Sequence, residues 1–80
     1  MFMKNFFKTS DFGLCVVLCV LGFKLTSIDK TNPNRAIFQF ENDVEIEKYT
    51  ESYFRGELRL DTRLVLLQSR LVKSRLKQGF

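Results

Sequence analysis

Eighty residues with a formal charge of +4 allow one small domain, which buries on the order of 60–65% of its unfolded surface. A hydrophobic share of 45% against 28% charged residues excludes a disordered tail, and the absence of histidine removes the usual acid–base residue of catalysis near neutrality. The charge is uneven: residues 1–40 carry +3, residues 41–57 carry −4 and residues 58–80 carry +5, which suits either an anionic partner at the C-terminal end or acidic and basic faces that complement each other.

Residues 2–8 are rich in Phe and predict a short strand. Lys4 and Lys8 then precede the run LCVVLCVLGF, an order shared with secretory leaders. Asp11 interrupts the approach and no small-x-small cleavage pattern follows Gly22. The apolar stretch Phe12 to Phe23 is 12 residues long, against roughly 20 for a bilayer span. A core helix over about 11–21 is therefore expected. Thr9-Ser10-Asp11 supplies oxygen to its first free N–H groups, and Gly22 ends it with Phe23 folded back on Leu18. Cys15 and Cys19 lie i,i+4 within it, a spacing that opposes a disulfide and offers two thiols with no further ligand. They read as free, buried, small hydrophobes, which favours a cytoplasmic setting; no metal and no cofactor are expected.

Phe23 and Leu25 alternate with Lys24 and Thr26, and Ala36, Phe38 and Phe40 alternate with Ile37 and Gln39. This period of two predicts strands over about 23–29 and 35–41. Lys30-Thr31-Asn32-Pro33-Asn34 is turn chemistry and makes them a hairpin. Asn42 and Glu45 have capping-box spacing before a second helix over about 43–55, with Ile46, Tyr49 and Tyr53 inward and Gly56 at its end. Asp61 caps a third helix reaching about Lys77.

That third helix carries three strips. At about 100° per residue, Leu60, Leu64, Leu67 and Leu71 fall within roughly 60° of arc, a natural core face. Val65, Val72 and Leu76 form a second apolar strip, which predicts self-association with another copy. Arg59, Arg63, Arg70, Lys73 and Lys77 share roughly 80° of the remaining arc, with Leu66 among them. Regularly spaced cations of this kind contact successive phosphates and predict nucleic-acid binding, with Tyr53 and Phe54 available to stack on a base. An ordinary solvated face accounts for the same charges. Catalysis is not expected: the serines lack a base partner, Gly13, Gly22, Gly56 and Gly79 form no phosphate-cradling loop, and capping accounts for the acidic residues of 41–57.

The order of segments FFKTSDFGL, VLGFKLTSIDKTNPNRAIFQFE and YFRGELRLDTR resembles a small family of bacterial, phage and archaeal domains of unknown function. The elements carrying the resemblance are Phe7, Thr9-Ser10-Asp11, Gly22, Ile28-Asp29-Lys30, Asn32-Pro33 and Tyr53 to Glu57. Thr62 stands where that family often has Pro, which suits the first helical position after an Asp61 cap. The resemblance implies a free-standing small protein of phage or mobile-element type, more often an accessory binder than an enzyme. The residues together predict an α+β domain spanning 1–80 in the order βαββαα. It is expected to be a non-enzymatic binding or assembly module whose partner is nucleic acid or protein, with no small-molecule substrate and no membrane span.

Overall fold

The computed structural model describes residues 6–32 and 34–77. These form β1 (Phe6–Thr9), α1 (Phe12–Val20), β2 (Leu25–Asn32), β3 (Arg35–Glu41), α2 (Val44–Phe54) and α3 (Thr62–Lys77). The α+β order read from the sequence is the one observed. Of the predicted first strand, residues 2–5 lie outside the described residues, as does Pro33 of the predicted turn.

The sheet has the order β1-β3-β2, with β1 and β2 both antiparallel to β3. The two flanking strands are therefore parallel to each other and joined through α1, a split β-α-β unit. Phe38 and Phe40 project from the central strand toward α1 and are buried, together with Leu25 from β2. Phe12 of α1 meets Phe38 edge-on, with ring centroids 6.2 Å apart. The opposite sheet face presents Lys8, Asp29, Ile37 and Gln39, which line a shallow cleft of about 400 Å³ with Thr9, Ser10 and Arg35.

Helix α1 lies between this sheet and the other two helices, packing against both α2 and α3. That position explains why five successive residues, Leu14 to Leu18, are all buried. A helix covered on one side alone would show a stripe with a period near 3.6 residues. Ile46 of α2 and Val72 of α3 complete the core.

The boundaries follow local chemistry. Asp11 caps α1: its Oδ1 accepts the Leu14 N–H at 3.1 Å, while Thr9 Oγ1 accepts the N–H of Asp11 itself. At the other end Phe23 N–H donates to the Leu18 carbonyl at 3.0 Å, the Schellman closure expected around Gly22, whose φ is +103°. Gly56, at φ +72°, closes α2 the same way, with Glu57 N–H on the Ser52 carbonyl. Placing a Cβ in the left-handed region costs roughly 1–2 kcal/mol. Gly22→Ala should lower stability by about that amount in urea unfolding, and an unchanged midpoint would contradict the role assigned to Gly22.

Two local readings need correction. Strand β2 runs to Asn32, so Lys30 to Asn32 are strand residues and not turn. Register shifts between Leu25 and Ser27, and between Asp29 and Asn32, absorb its polar residues. At the first shift Thr26 Oγ1 donates to the Gln39 carbonyl at 2.8 Å. Near the second, Asp29 accepts the Thr31 N–H at 2.9 Å. The cap of α2 is Asp43 rather than Asn42: Asp43 Oδ1 accepts the Glu45 N–H at 2.8 Å, and Asn42 bonds the N–H of Asp43. Two adjacent Asx residues compete for one role, and the one with extended backbone directly before the first helical residue takes it.

Candidate binding faces of the third helix

Helix α3 is built from residues with good helix propensity and is anchored at both ends. Asp61 Oδ1 accepts the Arg63 N–H at 2.8 Å, and the Asp61 carbonyl accepts the Val65 N–H. At the C-terminal end Lys30 Nζ donates to the Leu76 carbonyl at 2.7 Å, a cation placed at the negative end of the helix dipole. One residue earlier, Arg75 Nη1 donates to the Leu25 carbonyl at 3.0 Å. These two contacts tie the last turn of α3 to β2 and set its rotation about its own axis.

That rotation reverses the assignment of the apolar strips. Val72 is buried, and Val65 and Leu76 pack against the core. The predicted self-association surface of Val65, Val72 and Leu76 therefore faces inward and is not available to a second chain. The outward strip is the leucine one: Leu64, Leu67 and Leu71 are 47%, 50% and 50% exposed. Both strips satisfy the helical period, so periodicity leaves the choice open. In the folded chain the slimmer valines lie toward α1, and the links from Lys30 and Arg75 hold that orientation.

The predicted nucleic-acid residues do not all stand on one element. Arg59 precedes α3 and lies outside the helix, whereas Arg63, Arg70, Lys73 and Lys77 stand on it and are exposed. Arg63 reaches back to Asp61, Nη2 to Oδ2 at 3.4 Å, an exposed pair of small energetic weight. Lys73 is drawn aside, its Nζ 5.9 Å from the centroid of the Phe12 ring. The remaining line is Arg63, Arg70 and Lys77, spaced seven residues apart within about 40° of arc. Leu66, 53% exposed, borders that line, about 20° of arc beyond Lys77. Of the two proposed stacking rings, Phe54 is 66% exposed and Tyr53 is half-buried, and the two contact each other edge-on.

A groove of about 680 Å³ runs beside α3 against the corner between α1 and β2, lined by Cys19, Phe23, Leu25, Gln68, Leu71 and Val72 among others. Leu71 belongs to both the groove and the leucine strip. Within the groove Cys19 is half-buried, behind it Cys15 is fully buried, and both thiols are free. Cys15 donates to Cys19, which pushes the Cys15 pKa up, burial adding to the effect. The same hydrogen bond lowers Cys19, against the effect of burial and with help from Arg75. Among the described residues no group of three or more His, Cys, Asp or Glu side chains converges to hold a metal ion, and no helix is long and apolar enough to cross a membrane.

The family model described as Domain of unknown function (DUF5659) matches residues 4–73. The chain belongs to this family. The matched DUF5659 region runs from the approach to β1 to the third turn of α3, so it takes in the Asp11 cap, the hairpin and the Gly56 corner. The expectation of a small domain family of unknown function is thus met. No curated protein and no solved structure matches the chain.

The TSD and YFRGE segments, separate in sequence, meet in space. Tyr53 Oη donates to Asp11 Oδ1 at a long 3.5 Å, and the Tyr53 hydroxyl lies where a Cβ on Gly13 would stand. Sequence reasoning missed this contact, which joins α2 to the start of α1, because each segment is explained locally by capping. It also missed the polar cleft on the open sheet face, which depends on cross-strand neighbours.

Proposed function

We propose that this protein is a non-enzymatic binding module that engages another protein through the outward face of α3. The observation that carries the reading is the leucine strip. Leu64, Leu67 and Leu71 stand half-exposed within about 60° of arc on one flank of the helix, beside the buried valine strip. Scattered exposed leucines are ordinary, whereas a contiguous row on one helix face marks an interaction site. Covering the exposed half of each leucine contributes roughly 1 kcal/mol, so three of them support a modest affinity that other contacts must raise. The unbridged thiols support a reducing, cytoplasmic setting for such a module.

A second reading keeps nucleic acid as the partner and rests on the exposed line Arg63, Arg70 and Lys77. It ranks second because the line is only three cations long and is bordered on both sides by leucines, Leu67 and Leu66, that contribute nothing to phosphate contact.

The two separate in one pair of titrations. A labelled amphipathic helical peptide with a leucine seam and uncharged flanks should bind the protein, and L64Q/L67Q/L71Q should abolish that binding while shifting stability little. Labelled single- and double-stranded oligonucleotides are titrated in parallel across a salt series. Binding of the oligonucleotides alone, steep in salt and lost in R63Q/R70Q/K77Q, would replace the protein reading with the nucleic-acid one.

A further inference from the structure

Leu60, Leu64, Leu67 and Leu71 follow one another at intervals of four, three and four residues, the spacing of a two-helix seam. Leu60 lies just ahead of α3, and the other three are on it. The flanks of that seam are unequal. One carries Arg63, Arg70 and Lys77, a cation at each turn of the repeat, all exposed. The other carries Gln68 and Arg75, and Arg75 is held by the Leu25 carbonyl. A helix laid along the seam therefore meets three cations on one side and the groove ending at Leu71 on the other.

Resting on the protein-binding reading, we infer that the occupant of this face is an acidic amphipathic helix of a different protein. It presents apolar residues to Leu64, Leu67 and Leu71 and carboxylates to Arg63, Arg70 and Lys77. The charges argue against a second copy of α3. In an antiparallel pair that sets the leucines opposite one another the cationic flanks meet, Arg63 against Arg70. In a parallel pair Arg70 faces Arg75. Helix α2 of a second copy fits poorly too. Its outward face sets Glu47 and Glu51 between Val44 and Phe54, so carboxylates would lie on the leucines.

The test uses the full chain and two labelled three-heptad peptides with the same leucine seam, one flanked by Glu and one by Lys, whose like charges keep each peptide monomeric. The Glu-flanked peptide should bind at least about tenfold more tightly at low salt, and the advantage should shrink as salt rises. R63Q/R70Q/K77Q should erase the difference between the peptides while leaving residual binding of both, and L64Q/L67Q/L71Q should remove both. Leu67→Gln alone, with a smaller loss in the same direction, guards against a triple variant that fails to fold. Equal binding of the two peptides overturns the inference and leaves the protein-binding reading intact. So does concentration-dependent sedimentation of the protein that the leucine substitutions abolish. Binding of neither peptide, with no association sensitive to the leucines, overturns both.

Discussion

Phe40→Ala should cost about 3–5 kcal/mol, the largest loss expected of any single substitution in this chain. Phe40 is fully buried in the central strand, opposite Phe7 of β1 and Leu25 of β2 in the registers of both ladders. Its ring is thus shared by every strand of the sheet and by the core beneath α1. A chain of this size has a total stability of about 4–12 kcal/mol, so the loss is a large part of the whole. The site cannot collapse around a small side chain, because both its neighbours are fixed by backbone ladders. Phe54→Ala is the control: its ring is 66% exposed, and its substitution should shift stability by less than about 1 kcal/mol. Urea unfolding followed by far-ultraviolet circular dichroism measures both. A loss at Phe40 as small as that at Phe54 would show that the sheet does not close over α1 as described.

The second large effect is expected at Gly13, and its sign depends on Tyr53. In most helices Gly→Ala is stabilising, by about 1 kcal/mol in the interior and less near an end. Here a Cβ on Gly13 would collide with the Tyr53 hydroxyl, while the next contacts, Asp11 Oδ1 at 3.3 Å and Tyr53 Cζ at 3.5 Å, are tolerable. Gly13→Ala in the native chain should therefore destabilise by about 1 kcal/mol, the low end of the range for overpacking, because the half-buried Tyr53 ring has to give way. With Tyr53→Phe already in place the same change should be neutral or slightly stabilising. The coupling between the two substitutions, read from a double-mutant cycle, is the measured quantity. Additive effects would mean that Tyr53 does not sit over Gly13.

The same hydroxyl gives the cycle a pH signature. Burial, then the charge of Asp11 and the hydrogen bond to it, raise the Tyr53 pKa. A phenol raised in the folded state contributes stability that is present below the ordinary tyrosine value of about 10 and is lost as pH rises through its own higher value. Tyr53→Phe should remove that part of the alkaline destabilisation.

How much of this was legible in the residues divides along a physical line. The caps at Asp11 and Asp61, the Schellman ends at Gly22 and Gly56 and the alternation in β3 are governed by atoms within about five residues of each other, and the local pattern carries them. The apolar run of α1 is continuous, so its central position between sheet and helices was readable as well. The strips of α3 were not. Val65, Val72 and Leu76 answer to the same period as Leu64, Leu67 and Leu71, and periodicity describes a face without saying which neighbour meets it. Tertiary contacts decided the matter: the fit of the valine side against α1 and the hold of Lys30 and Arg75 across to β2. The candidate site moved with that rotation, from the valines to the leucines. The meeting of Tyr53 with Gly13 belongs to the same class, since the two lie forty residues apart. By itself the sequence determined the elements, their order and most of their ends, because hydrogen bonds between near neighbours suffice for that. Which face of α3 is left for a partner was decided only by the tertiary structure, because burial is a property of the whole packed chain.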